Sequence, residues 1–370
     1  MPVGREIGSI RRPFRAPQCS RDPAVRLGIL LPNWIGDVIM ATPAIRALRS
    51  HAGTTGRLVG IMRPYVADVL AGTNWFDETI VYDKSPARFS FARADVYGKL
   101  RAAELDSVLL LTNSLRTAWM AWRSGAHERI GYVGDMRAWL LTHRLPRSTP
   151  DLATIDAYLQ LAAAAGAWST SRRLELATTV ADERAADAVW RELELPPGER
   201  VVVLNSGGAY GAAKRWPAEH FADLARRIAI HRDLSVLINC GPAERQVARE
   251  IEQQANHPRI RSLARFDQLP IGLTKACIRR SRLVATTDSG PRFVAIAFGK
   301  PVITLFGPSD PKATATHYAQ ETSLSLNLDC QPCMARECPL AHHRCMRELS
   351  VDRVYAAVID ALETESLNAA

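Results

Sequence analysis

Nowhere in the chain do 18 apolar residues follow one another without a charge, so no segment can cross a bilayer as a helix. The most apolar runs, 107–111 and 201–204, have the length of a buried strand. The first 22 residues lack the apolar block of about 7–15 residues that a secretory signal requires. They carry Arg5, Arg11, Arg12, Arg15 and Arg21 against only Glu6 and Asp22, and read as a basic, disordered arm. Aromatic residues are sparse at 7%, and the basic residues are scattered with no stacking series among them, which argues against a nucleic-acid partner. Glycine and proline, 22 of each, are too few for a collagenous or low-complexity chain. No repeat of about 20–50 residues is evident, which excludes a solenoid or propeller.

What is present is globular. Hydrophobic residues make up 47% and charged residues 23% of 370, a length that predicts two packed domains. Forty-seven Lys and Arg against 38 Asp and Glu leave a formal charge of +9, which favours anionic partners. Arg-rich arms add about 1 kcal/mol per basic residue near anionic lipid, so peripheral contact with the inner membrane fits the composition. Seven cysteines, an odd number without a signal, point to a reducing compartment and hence the cytoplasm.

From residue 27 onward, short β-rich runs alternate with helical stretches, the pattern of βαβ units around a parallel sheet. Strands are expected at 27–31, 57–61, 79–82 and 107–111, with helices at 38–49, 65–71, 92–103 and 115–122. A helix over 152–165 runs into a polar linker at 169–173. The pattern then restarts with strands at 201–205, 234–239, 283–286 and 301–305 and helices at 218–231, 292–298 and 351–363. The resulting division is a basic arm (1–22), one α/β domain (23–175), a second (176–350) and a C-terminal helix and tail (351–370). Two such halves place a ligand cleft at the carboxyl ends of their strands.

Chemistry-bearing residues fall at those ends. In Pro32-Asn33-Trp34-Ile35-Gly36-Asp37 a strand ends, the chain turns, and Asp37 opens a helix. A carboxylate there can take a proton from a hydroxyl in the cleft, or can simply cap the helix. The loop 205–217 contains Gly207, Gly208 and Gly211, followed by Lys214 and Arg215 just before a helix marked by Pro217. Glycines let amides approach an anion, and Lys214 adds charge, so the loop suits a diphosphate or is a plain turn with surface cations. It spells neither Gly-x-Gly-x-x-Gly nor a Walker A loop. Asp288, Ser289 and Gly290, ahead of Pro291, either cap a second helix or aim its amides at phosphate. Glu244 stands where a ribose diol commonly binds. Cys330, Cys333, Cys338 and Cys345, with His342 and His343, supply enough soft ligands for a metal, but match no standard finger; free thiols or a labile disulfide are the alternatives. Cys19, Cys240 and Cys277 look incidental.

Taken in order, Trp34-Ile35-Gly36-Asp37, the run 208–217, Asp288-Ser289-Gly290, Phe306-Gly307-Pro308-Ser309 and the cysteine segment resemble glycosyltransferase family 9 over roughly residues 27–362. The resemblance implies a GT-B fold of two facing Rossmann-like domains, with the acceptor on the first and the nucleotide sugar on the second. It implies inverting transfer of a heptose or related sugar, without metal or other cofactor, from an ADP-sugar to a lipopolysaccharide core or other glycolipid acceptor. Asp37 would then be the base and Lys214 the cation on the departing diphosphate. Gly208, Gly211, Asp288, Ser289 and Gly290 would contact the donor, and Glu244 its ribose. Two positions depart from the family pattern: Phe293 replaces a usual histidine, with Arg292 beside it as a substitute or else a different donor, and Tyr210 replaces an acidic loop residue.

Overall fold

The apolar runs become two six-stranded parallel sheets in a computed structural model that describes residues 25–83, 91–146, 152–208 and 210–368. The basic arm, Cys19 and Ala209 lie outside the described residues.

In the first half β1 (Arg26–Leu30) leads through α1 (Ile35–Met40) and α2 (Thr42–Ala52) to β2 (Arg57–Met62). Then come α3 (Pro64–Leu70), β3 (Glu78–Val81), α4 (Phe91–Ala102), β4 (Ser107–Leu110), α5 (Leu115–Arg123), β5 (Glu128–Tyr132) and β6 (His143–Leu145). After α6 (Thr154–Ala164) and α7 (Val180–Glu192) the second half runs β7 (Val201–Asn205), α8 (Ala218–His231), β8 (Ser235–Asn239), α9 (Arg245–Ala255) and β9 (Ile260–Ser262). It continues through α10 (Ile271–Arg280), β10 (Leu283–Thr287), α11 (Gly290–Ala297), β11 (Val302–Leu305), β12 (Glu321–Leu324), α12 (Arg344–Arg347) and α13 (Val351–Asn368).

The spatial orders are β3-β2-β1-β4-β5-β6 and β9-β8-β7-β10-β11-β12, the same doubly wound arrangement twice. The central strands are buried on both faces, which is why they read as unbroken apolar runs rather than alternating ones. One apolar cluster runs through both halves, and a second fills the other face of the first sheet.

Several elements differ from the sequence expectation. The helix expected at 38–49 is broken at Ala41, because Pro43 has no N–H for the carbonyl of Ile39; the Thr42 hydroxyl donates to that carbonyl instead, at 2.7 Å. β5 and β6 were not expected; they are short and half polar, and β6 sits at the sheet edge. The stretch beyond the expected linker holds α7, whose Thr179 hydroxyl accepts from the Asp182 N–H while the Asp182 carboxylate accepts from the Thr179 N–H, a capping box spelled Thr-x-x-Asp. The linker itself is tied down: Arg46 donates to the carbonyl of Arg173 and to Glu175, both at 3.0 Å.

The halves meet where α1 touches α11. A Cβ on Gly36 would come within 2.8 Å of the Phe293 ring, and one on Gly290 within 3.0 Å of Ile35, so each glycine admits the other helix. Behind this junction the buried Lys275 ammonium donates to the carbonyls of Asp68, Val69, Ala71 and Ala177 at 3.0–3.2 Å, pinning α10 to the end of α3. No described helix is long and apolar enough to cross a membrane.

Candidate active site

Asp37 occupies the first turn of α1, but the helix is capped by Trp34, and among the described residues the Asp37 carboxylate accepts no hydrogen bond. Capping therefore does not account for it. Its pKa is raised to about 6: burial is the largest cause, the charge of Asp288 adds to it, and that of Lys214 opposes the rise. The three groups therefore sense one another across the α1–α11 junction. A carboxylate titrating near neutrality, with its lone pairs uncommitted, suits proton abstraction.

Lys214 ends a short 3-10 turn, Ala212–Lys214, after the glycine loop. Its ammonium donates to Asp288 twice, to Oδ2 at 2.8 Å and to the backbone carbonyl at 2.9 Å, and lies 4.5 Å from the Tyr210 ring centroid. The other oxygen of Asp288 accepts from Arg292 at 2.9 Å. Burial alone would raise the Asp288 pKa, but Lys214 and Arg292 together outweigh it and hold the carboxyl below its usual range. Both its oxygens are thus engaged, and Asp288 holds the Lys214 ammonium in place. Arg292, the neighbour of Phe293, turns inward. It is buried, and its guanidinium is shared among Asp288, Thr314 and Glu321 at 2.6–3.2 Å.

Phe293 is buried against Gly36, so the ring serves as packing between the halves. Ser289 caps α11 without a side-chain bond to the helix; its hydroxyl donates to the carbonyl of Thr287 at 3.1 Å and lies 3.3 Å from the Asn205 amide. Gly208 lies against this same turn, since a Cβ there would reach Ser289 at 3.0 Å. Gly211 admits the carbonyl of Arg336, which would be 2.3 Å from a Cβ. Glu244 accepts from the N–H of Gly241 at 3.1 Å and leans over Gly207. Together with Ser206, Arg215, Trp216, His343 and Arg347 it lines a cavity of about 340 Å³ between the β7 and β8 loops. The Ser206 hydroxyl in this wall is buried and has no hydrogen-bond partner among the described residues. Sequence reasoning missed Ser206, Asn205 and Asn239. The Asn239 amide donates to Asn205 Oδ1 at 2.8 Å, and two asparagines ending adjacent strands could have signalled this network.

The four clustered cysteines, with His342, line one small cavity next to Ala213 and Pro308. All are free thiols, and among the described residues no three such side chains are grouped as a metal would require. Backbone N–H groups, first that of His343, lower the Cys338 pKa, whereas burial and then the neighbouring thiols push Cys345 up to about 11. The segment also braces the glycine loop: Ala213 donates to the carbonyl of Arg336 at 3.0 Å, and the Tyr210 hydroxyl to that of Met334 at 2.5 Å. Burial pushes Cys240 and Cys277 up to about 11 and about 12, leaving them poor nucleophiles.

The family model described as glycosyltransferase family 9 (heptosyltransferase) matches residues 93–343, well over half of the chain. The chain belongs to glycosyltransferase family 9. It is accordingly a glycosyltransferase, although Asp37 precedes the matched segment. A family relative, lipooligosaccharide heptosyltransferase 2 of Campylobacter jejuni, is 25% identical over 338 residues, covering 89% of this chain and 97% of the relative. Lipopolysaccharide heptosyltransferase 2 of Escherichia coli is 25% identical over 313 residues, covering 78% and 85%. Among solved structures, the family 9 glycosyltransferase of Veillonella parvula superposes with a TM-score of 0.82 at 23% identity, covering 92% of this chain and 98% of that one. The ADP-heptose lipopolysaccharide heptosyltransferase II of E. coli superposes at 0.77 with 20% identity, covering 92% and 100%. The family fold is thus the GT-B arrangement of two Rossmann-like sheets.

Proposed function

We propose that this family 9 enzyme transfers a heptose from ADP-heptose to a lipopolysaccharide-core acceptor with inversion at the anomeric carbon. The relatives' activities support the sugar and the acceptor class. The observation that carries the mechanism is an unbonded Asp37 carboxylate, titrating near 6, within electrostatic reach of the Lys214–Asp288 pair. Residues 23–175 would present the acceptor and residues 176–350 the donor, with the nucleoside in the cavity lined by Ser206 and Glu244. Asp37 takes the proton of the acceptor hydroxyl as its oxygen bonds to the anomeric carbon. The bond from that carbon to the diphosphate oxygen breaks, its electron pair leaves with ADP, and Lys214 meets the growing charge. A preplaced cation of this kind is commonly the largest single contribution to such catalysis. The formal charge of +9 favours work at an anionic membrane face.

The test is incubation of the purified enzyme with ADP-heptose and a core acceptor lacking the outer heptose, followed by mass spectrometry. Gain of one heptosyl unit with equimolar ADP release is expected. ADP release without acceptor gain, or transfer from UDP- or GDP-sugars instead, would overturn the assignment.

A further inference from the structure

We propose that Arg336, carried by the cysteine segment, is a second donor-binding cation that grips the sugar-bearing phosphate of the diphosphate together with Lys214. This rests on the reading of the site as that of an ADP-sugar transferase. The Arg336 guanidinium lies 5.7 Å from the Trp34 ring centroid and 5.8 Å from that of Tyr210. It therefore bridges the two halves between residues that shortly precede Asp37 and Lys214. Lys214 sits on the same Tyr210 ring, so the two cations are within about 10 Å of one another.

Their surroundings differ in one respect. Lys214 has its counter-charge in Asp288, whereas the exposed Arg336 side chain has no ion-pair or hydrogen-bond partner among the described residues. Aromatic contacts orient a guanidinium without neutralising it. Its backbone is fixed as well. The Arg336 carbonyl accepts from Ala213 and fills the space that a side chain on Gly211 would occupy, so Arg336 and the Lys214 loop move together. A planar fork with open N–H edges, held beside a lysine at the mouth of a nucleotide-sugar cleft, matches phosphate geometry. As the anomeric bond breaks, the electron pair moves onto the phosphate oxygen, and a cation there binds more tightly than in the ground state.

The experiment compares wild type, Arg336→Ala and Arg336→Lys by calorimetric titration with ADP and AMP, and by steady-state kinetics in both substrates, with circular dichroism as a check on folding. Arg336→Ala should weaken ADP binding about tenfold, the value of one charged hydrogen bond, while changing AMP binding less than twofold. It should raise the donor KM and lower kcat without moving the acceptor KM, and Arg336→Lys should fall between. ADP affinity and donor kinetics within twofold of wild type would overturn the proposal, as would a loss confined to the acceptor KM or an equal loss for AMP. Wild type that binds no ADP would overturn the function itself, and is distinct from failure of Arg336 alone.

Discussion

Asp37→Asn should stabilise the fold while removing turnover, and the size of the effect follows from one shift. The carboxyl ionises at about 6 in the folded chain against 3.8 when unperturbed. At 1.36 kcal/mol per unit, the ionised form is penalised in the native state by about 3 kcal/mol at neutral pH. A raised carboxyl pKa means that the folded state holds a proton the unfolded chain has already lost between these two values, so this cost is absent below about pH 4 and complete above about pH 6. Asparagine, a neutral isostere, carries none of it. Urea denaturation of both proteins from pH 4 to 8 should give curves that coincide at the acid end and separate by about 3 kcal/mol at pH 7.5, asparagine the more stable. The same variant should show no measurable transfer. Equal stability at pH 7.5, or a gap that widens toward low pH, would refute the assignment of a strained, buried carboxylate at this position.

The remaining expectations concern its neighbours. In wild type, kcat/KM should fall about tenfold per unit below pH 6 as Asp37 takes up its proton. Lys214→Met should lower kcat/KM on the order of 10²–10³-fold. Because Lys214 opposes the rise in the Asp37 pKa, the same substitution should move the acid limb of the residual activity to higher pH, and a limb moving lower would contradict the geometry. Lys275→Met leaves buried carbonyls of Asp68, Val69, Ala71 and Ala177 without their donor and should cost about 3 kcal/mol of stability by denaturation, with no loss showing that the ammonium does not pin the halves.

The legibility of the fold varied with burial. Strands such as β7 and β10, covered on both faces, announce themselves as apolar runs, and α8 is framed by Pro217 and a regular apolar stripe. β6 and β12 escape because half-exposed edge strands carry charges, as at Arg144 and Glu321. The site was legible as positions but not as partnerships. That Asp37, Lys214 and Asp288 fall at strand ends is written in the chain; that Asp288 turns both oxygens inward, and that Arg292 is consumed by Glu321, depends on contacts between segments up to 74 residues apart. Arg336 was hidden for the same reason, since nothing near it in sequence hints at Trp34.

The two roles proposed for Asp37 and Lys214 fall on different halves of the molecule. Asp37 rides on α1 of the first sheet, while Lys214 and its support Asp288 belong to the second, and the helices that set their separation touch through Gly36 against Phe293 and Gly290 against Ile35. A methyl group at either glycine would have to displace the Phe293 ring or the Ile35 side chain, which it would meet at 2.8 and 3.0 Å. Phe293 makes sense in that frame: the position gives up a hydrogen-bonding ring and gains an apolar wedge that holds base and cation in register. On the proposed mechanism, two glycines and a phenylalanine would matter as much to the site as the charged residues they align.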